Sequence, residues 1–321
     1  MTTGIAPAVR AVLDRLLRPV SPLPLAAYRC LFGLLALANG VLLAPDLEAF
    51  FGAAGVLPDD PLVRATTPWR FDPLTWAGST PAAVWTLFAA AMTAATLTTV
   101  GLFTRGATLV LFLATVAFHH RNLYILSSGD TMMRLMAFFL ALAPAGAALS
   151  LDRLWRVRRG SEPPGEPPPI SPVAFRVMQL QICLAYLVTG IWKAGGQTWR
   201  DGTAAALVLQ LGQFARFPLP DWAETAAFSR IATWGTLGVE LVAPVLLWFP
   251  ATRRVALVSL AALHLGLEYA LNIQLFQPVM LAGLVLFLEP DELRPLLRLA
   301  ARLTGRGAAP PRPPPPGCST S

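Results

Sequence analysis

Long apolar runs follow one another along almost the whole chain, separated by short stretches rich in proline, glycine and arginine. A run of about 20 apolar residues suffices to cross a hydrocarbon layer of about 30 Å as a helix. The pattern predicts eight such spans, over 22–44, 82–102, 105–120, 130–148, 172–192, 230–249, 253–271 and 274–289. Segment 203–214 is apolar but too short to cross, and reads as a re-entrant or interfacial helix. Between the spans, the run Ser-Glu-Pro-Pro-Gly-Glu-Pro-Pro-Pro at 161–169 reads as a solvated linker. Segment 291–304 sets Leu293, Leu296, Leu297, Leu299 and Leu303 against Arg294, Arg298 and Arg302, the pattern of a short helix lying on a membrane surface. The Pro-rich tail 305–321 has no packed element to form. The expected fold is therefore all-α: a polytopic transmembrane helical bundle of about eight spans with a short re-entrant or interfacial helix and no soluble domain. Its parts are an N-terminal segment 1–21, the transmembrane domain 22–290, the surface helix 291–304 and the disordered tail 305–321.

Composition supports the same solvent. Apolar residues make up 55% of the chain and charged ones 13%, with a mean hydropathy of +0.56, where a soluble domain carries about 25% charge. The net charge of +7 is spread as arginines over short loops and tails. It reads as membrane-surface charge, making lipid the expected partner and excluding a nucleic-acid footprint. Cys30, Cys183 and Cys318 have no metal-ligand spacing and suggest neither a disulfide framework nor a metal site. The first run follows Arg10, Arg15 and Arg18 as a signal peptide would, but it is too long and contains Arg29, so it reads as a retained span. With eight spans, 15 arginines fall on one side and six basic residues on the other. The positive-inside rule then puts both termini in the cytoplasm of a cell with this protein in its inner membrane. Lys193 and segment 203–214 face outward.

Charges within spans are costly, about 2.5–3.5 kcal/mol each on insertion scales. Arg29, Arg134, Arg176, Glu240 and Glu268 fall at or inside them. Glu240 is the deepest and has no local partner. Two roles suit it, an intramembrane pair with Arg29 or Arg134 that fixes helix packing and a proton relay. Arg176 and Glu268 lie near span ends, within reach of water. His119 and His120 end the third span, and as neighbours they point about 100° apart on a helix, which disfavours a shared ligand. His264 is buried in the seventh span and reads as one partner of an interhelical hydrogen bond.

Lys193 is the single lysine among 25 basic residues. It ends the fifth span in Gly-Ile-Trp-Lys-Ala-Gly-Gly, between Gly190 and Gly195-Gly196, with Trp192 and Trp199 available as flat apolar walls. Two readings are open. A lysine at a span end is an interfacial snorkel. Held in an apolar setting, it is instead a neutral amine able to accept a proton.

Five segments in order resemble the membrane domain of vitamin K-dependent γ-carboxylase and its bacterial relatives, the HTTM family. They are Phe50-Phe-Gly-Ala-Ala-Gly-Val-Leu-Pro58, His119-His-Arg-Asn-Leu-Tyr124, Ser150-Leu-Asp152, Gly190-Ile-Trp-Lys193 with Trp199 and Gly202, and Asn272-Ile-Gln-Leu-Phe276 with Val279-Met-Leu-Ala282. The likeness runs over nearly all of 22–290. It implies that Lys193 is the catalytic base and that His120 shares its site. Trp192, Trp199, Asn272 and Gln274 would bind the cofactor, reduced vitamin K or another lipid quinol. In that family the quinol is converted to an epoxide through a strong base, which removes a γ-hydrogen from a glutamate so that carbon dioxide can add. Trp192 stands where the animal enzyme has a second lysine, and Arg121 and Asn122 replace its Ser and Tyr. Three functions stay open. One is a membrane enzyme using Lys193 in quinol- or carboxylase-type chemistry. Another is a non-catalytic membrane protein assisting maturation or export of a peptide partner. The third is a proton-coupled carrier with Glu240, Arg29 and Arg134 as its relay.

Overall fold

A computed structural model describes residues 14, 16–56 and 70–295. Among these residues the fold is all-helical, without strands; the chain pairs as isolated bridges only at Val20 with Ile170 and Ala215 with Leu271. In chain order the helices are α1 Leu23–Leu43, α2 Leu47–Phe51, α3 Pro73–Trp76, α4 Pro81–Val100, α5 Thr104–Arg121, α6 Ser128–Leu142, α7 Leu151–Arg158, α8 Val173–Gly195, α9 Gln197–Arg200, α10 Ala204–Leu209, α11 Ala226–Leu246, α12 Pro250–Ala270 and α13 Phe276–Leu284.

Each of the eight predicted spans holds a helix, and sequence punctuation sets most of the ends. Pro81 and Pro250 stand in the first turns of α4 and α12, where a missing N–H costs nothing. The Thr80 and Thr225 hydroxyls accept from Ala83 N and Phe228 N and so cap α4 and α11. Ser127 and Asp130 form a reciprocal capping box at α6. Three segments are long and apolar enough to cross a membrane, Leu23–Phe51, Pro81–Val100 and Val173–Gly195. By contrast α6 has 15 residues, rising about 22 Å. Helix α13 has 9 and continues through the 3₁₀ turn Val285–Phe287, still short of the hydrocarbon thickness. The predicted span 130–148 overshoots because Ala143-Pro144 breaks the helix while Ala145 to Ala148 stay apolar and largely covered. Segment 203–214 is likewise less helical than expected: α10 stops at Leu209, and a 3₁₀ turn at Gly212–Phe214 follows.

Large apolar side chains also face outward along the helices. Ile231 on α11, Val258 on α12 and Trp192 on α8 are 71%, 68% and 79% exposed. Apolar faces this extensive need a nonaqueous neighbour. Inside, Tyr28, Met136, Leu140, Met178, Ile182 and Leu260 are almost fully covered and belong to one continuous core.

Four of the five recognised sequence segments prove to be joints. In Ser150-Leu-Asp152, the Ser150 hydroxyl caps α7 by accepting from Arg153 N at 3.0 Å. The Asp152 carboxylate accepts from Phe103 N and Thr104 N, each at 2.8 Å, and from Thr104 Oγ1 at 2.6 Å. Those bonds cap α5 and hold Phe103 at φ +48°, a left-handed conformation few side chains adopt. At the other end of the bundle Arg121 Nε donates to Phe51 O and Asn122 Nδ2 to Phe50 O, clamping the α5 terminus to the end of α2. Asn272 N donates to Phe214 O, and its side-chain oxygen accepts from Arg216 Nη2, which ties the α12–α13 turn to the segment after α10.

Partial burial alone would raise the Asp152 carboxyl, but hydrogen bonds from Thr104 and Phe103, aided by the Arg156 charge, outweigh it and hold the group below its ordinary value. Stability from this group is therefore complete above the ordinary carboxylate range and fades as pH falls below about 4. Asp152→Asn is expected to flatten that acid limb of a thermal-unfolding series against pH; an unchanged limb would remove Asp152 as its source.

The remaining described residues, 288–295, belong to a second unit. Arg294 pairs with Asp291 at 2.7 Å within a helical start. Most of the predicted surface helix 291–304, all of the tail 305–321 and the greater part of 1–21 lie outside the described residues.

Candidate functional site

Helix α8 carries Tyr186, Thr189 and Lys193 at spacings of three and four, so they lie along one face. That face meets α11 at Gly190, where an added Cβ would come within 2.9 Å of Leu241 Cδ2 and 3.4 Å of Glu240 Cβ. The missing side chain lets the two helices approach until Lys193 reaches across. Its Nζ donates to Glu240 Oε1. Thr189 Oγ1 faces Glu240 Oε2 at 3.4 Å while already donating to Ala185 O within its own helix. Pro244, inside α11, has no N–H to give to the carbonyl of residue 240, so the helix lacks a backbone bond at the level of the acid.

The pair is partly hidden: the Lys193 side chain is 28% exposed and that of Glu240 8%. Trp199, at the start of the following turn, stands with its ring centroid 5.0 Å from Nζ, inside the range of cation–π attraction. Gly190→Leu is expected to push α11 away and break the pair. In the Gly190→Leu background, adding Lys193→Met should then cost little further stability in micelle denaturation, whereas an additive cost would show that the pair survives the larger side chain.

Beside this pair runs a second polar chain. Tyr186 Oη lies 2.7 Å from His264 Nε2, and His264 Nδ1 bonds Gln277 Oε1. It joins α8, α12 and α13, and all three residues are buried. Both polar sets line one cavity of about 1370 Å³, walled by α6, α8, α11, α12 and α13 and covered by α10 and the stretch Leu219 to Ala223. Its other walls are chiefly apolar, among them Met132, Leu135, Val239, Leu263 and Phe276. Among the described residues no cluster of three potential metal ligands occurs.

Lys193 and Trp199 therefore sit together on this cavity with Glu240 and His264, whereas His120, Trp192, Asn272, Gln274, Arg29 and Arg134 lie elsewhere. His120 is off its wall, with Nδ1 accepting from Phe71 N at 3.1 Å. Trp192 points outward. Asn272 and Gln274 are exposed in the α12–α13 turn, Gln274 at φ +45°. The expected pairing of Glu240 with Arg29 or Arg134 is corrected: its partner is Lys193. Arg29 is fully buried and gives its protons to the carbonyls of Leu149 at 2.5 Å and Ala145 at 3.3 Å. Arg134 is half-buried on α6 and its charge acts on His119 and His120. Glu268 meets Arg216 at 2.9 Å. His264 does make an interhelical bond, and makes two. Sequence reasoning passed over Tyr186, Thr189 and Gln277. The first two were available from their spacing to Lys193; nothing in the sequence marked Gln277.

A profile of the HTTM domain matches residues 17–291. Among curated proteins, the one described as "Uncharacterized protein YitO" of Bacillus subtilis (strain 168) is 29% identical over 125 residues, 37% of this chain and 40% of that protein. The match thus spans about two fifths of that relative's length. No solved structure matches the chain.

Proposed function

The chain belongs to the HTTM domain family, membrane proteins related to vitamin K-dependent carboxylase, and on that premise we propose that it is a multi-pass membrane enzyme. Its Lys193–Glu240 pair moves protons at a lipid quinol held in the cavity. The observation that carries this reading is the placement of the chain's single lysine, bonded to a buried acid, on the wall of a large and mostly apolar hollow. Eight crossings, with both termini in the cytoplasm, are the arrangement that fits the arginine distribution. They also give the outward apolar faces of α11 and α12 a lipid neighbour. Helices α6 and α13 are then the two short crossings, completed by the apolar stretches 143–148 and Val285–Phe287 that continue them.

The residues suit a quinol. A cavity of about 1370 Å³ has room for a fused aromatic ring and part of an isoprenoid tail, and such pockets hold ligands by apolar walls with a few placed polar groups. When bound, the quinol supplies an acidic aromatic hydroxyl whose deprotonation makes the ring readily oxidised. Lys193 and Glu240 act as one unit: a proton passing from Nζ to Oε1 leaves a neutral amine beside a neutral acid. With a quinol bound, that amine would take up a proton at Nζ and stand as an ammonium beside the ligand. Exclusion of water strengthens electrostatic attraction in such a site. Trp199 limits where the ammonium can stand.

The carrier reading draws less support, since Arg29 spends its donors on backbone carbonyls far from Glu240 in the bonding network. The test is oxygen-dependent consumption of reduced vitamin K by the protein in lipid nanodiscs. Wild type should consume it, while Lys193→Ala and Glu240→Gln should not. Equal consumption by wild type and Lys193→Ala would end the role of Lys193 as the base, and no consumption by wild type would end the enzyme reading and leave the assisting role in peptide maturation.

A further inference from the structure

The Tyr186–His264–Gln277 chain is more polar machinery than three helices need to pack, and the proton bookkeeping gives it a direction. Gln277 presents Oε1 to the imidazole, and an amide oxygen only accepts. Nδ1 therefore carries the hydrogen of the neutral ring, Nε2 is the acceptor, and the Tyr186 hydroxyl donates to it across 2.7 Å. With its one hydrogen committed, Tyr186 Oη has lone pairs left over. No donor to them is found among the described residues. A buried oxygen with acceptor capacity, on the wall of a cavity, is matched to a ligand group that donates.

The two polar sets are also suitably spaced. Glu240 is reached by both Thr189 and Lys193 of α8, so it lies near the level of Thr189. That is three residues from Tyr186, about 4.5 Å of helix rise. They are close enough that the Lys193 charge acts on His264 and the Glu240 charge on Tyr186. Between and beyond them the walls are chiefly apolar.

We propose that Tyr186, backed by His264 and Gln277, is a second binding station of the cavity, which accepts a hydrogen bond from the far hydroxyl of a flat aromatic diol whose near hydroxyl lies at Lys193–Glu240. The proposal rests on the reading of the ligand as a quinol and specifies how its two oxygens are told apart. One end meets an ammonium–carboxylate pair that exchanges protons; the other meets a neutral acceptor that holds position. A ligand with one hydroxyl capped satisfies only one station at a time.

Binding without oxygen isolates this from turnover. The probes are a 2-methyl-1,4-naphthoquinol bearing one prenyl group and its monomethyl ether, titrated anaerobically into nanodisc-embedded protein. Wild type is expected to bind the diol at least tenfold more tightly than the ether. Tyr186→Phe should bind both with about equal affinity, near that of wild type for the ether. Because Tyr186→Phe strands His264 Nε2 in the core, the double variant Tyr186→Phe/His264→Leu, which removes both partners together, is measured alongside. If both variants keep the wild-type discrimination, or if wild type binds diol and ether alike, the second station is overturned and the quinol reading stands. If wild type binds neither probe, both proposals fall together.

Discussion

Lys193→Met is expected to lower quinol turnover by about 10²–10⁴-fold, the usual contribution of a positioned proton-transfer group. The same change should destabilise the fold by about 3 kcal/mol, the lower end of the cost of breaking a buried ion pair. The lower end applies because the Lys193 side chain is 28% exposed, whereas Glu240, at 8%, is left behind with, among the described residues, only the 3.4 Å contact from Thr189. Adding Glu240→Leu removes the stranded charge and puts an apolar side chain against the apolar cavity wall. Replacing both members of a buried pair by apolar groups is commonly neutral or better, so the double variant should recover most of the lost stability. It should recover no turnover, since neither proton station remains. Denaturation in mixed micelles, read beside quinol consumption, separates the two effects. A double variant as unstable as the single one would mean that Lys193 stabilises through packing of its alkyl stem and the charge of Glu240 matters little.

That separation of stability from chemistry also explains what was legible in the sequence. Helix positions were readable because each follows from a local rule: an apolar run, a Thr or Ser cap, a proline in a first turn. Where the rule was interrupted by tertiary packing, the reading slipped. Ala143 to Ala148 continue the apolar composition of α6 without its helix, and 203–214 holds one short helix and a 3₁₀ turn. Lys193 stood out by its uniqueness. Its partner did not, because the pairing depends on the approach of α8 to α11 at Gly190, a long-range fact with no local trace. Charge alone suggested an arginine for Glu240. His120 and the Asn272 turn drew attention through resemblance, and the turn, like Ser150-Leu-Asp152, holds the chain together at a bend. A shared segment marks an architectural joint as readily as a reactive group.

Arg29→Met is expected to be the most damaging single change, at about 4 kcal/mol or more. The guanidinium is wholly covered, yet among the described residues it has no carboxylate partner. Its protons go to Leu149 O at 2.5 Å and Ala145 O at 3.3 Å, in the turn after α6, and toward Thr99 O at 3.5 Å in the last turn of α4. Carbonyl oxygens carry partial negative charge, most effectively at a helix C-terminus such as that of α4, so these oxygens take the Nη protons and offset the charge, while Nε is left without a partner among the described residues. Methionine fills much of the volume but strands the carbonyls, at about 1–3 kcal/mol for each one left buried. Arg29→Lys, with a smaller head and no fork, should retain the charge and lose part of the bonding. Gly101→Ala attacks the same junction from the other side: its φ is +68°, and the new Cβ would sit 2.1 Å from Arg29 Nη1. If Arg29 is the clamp between α1, α4 and the α6–α7 turn, the two changes converge on one loosened joint. Their combined cost should then fall well short of their sum. Full additivity, measured by the same micelle denaturation, would show that Gly101 serves its own turn and that Arg29 is held by something other than this junction.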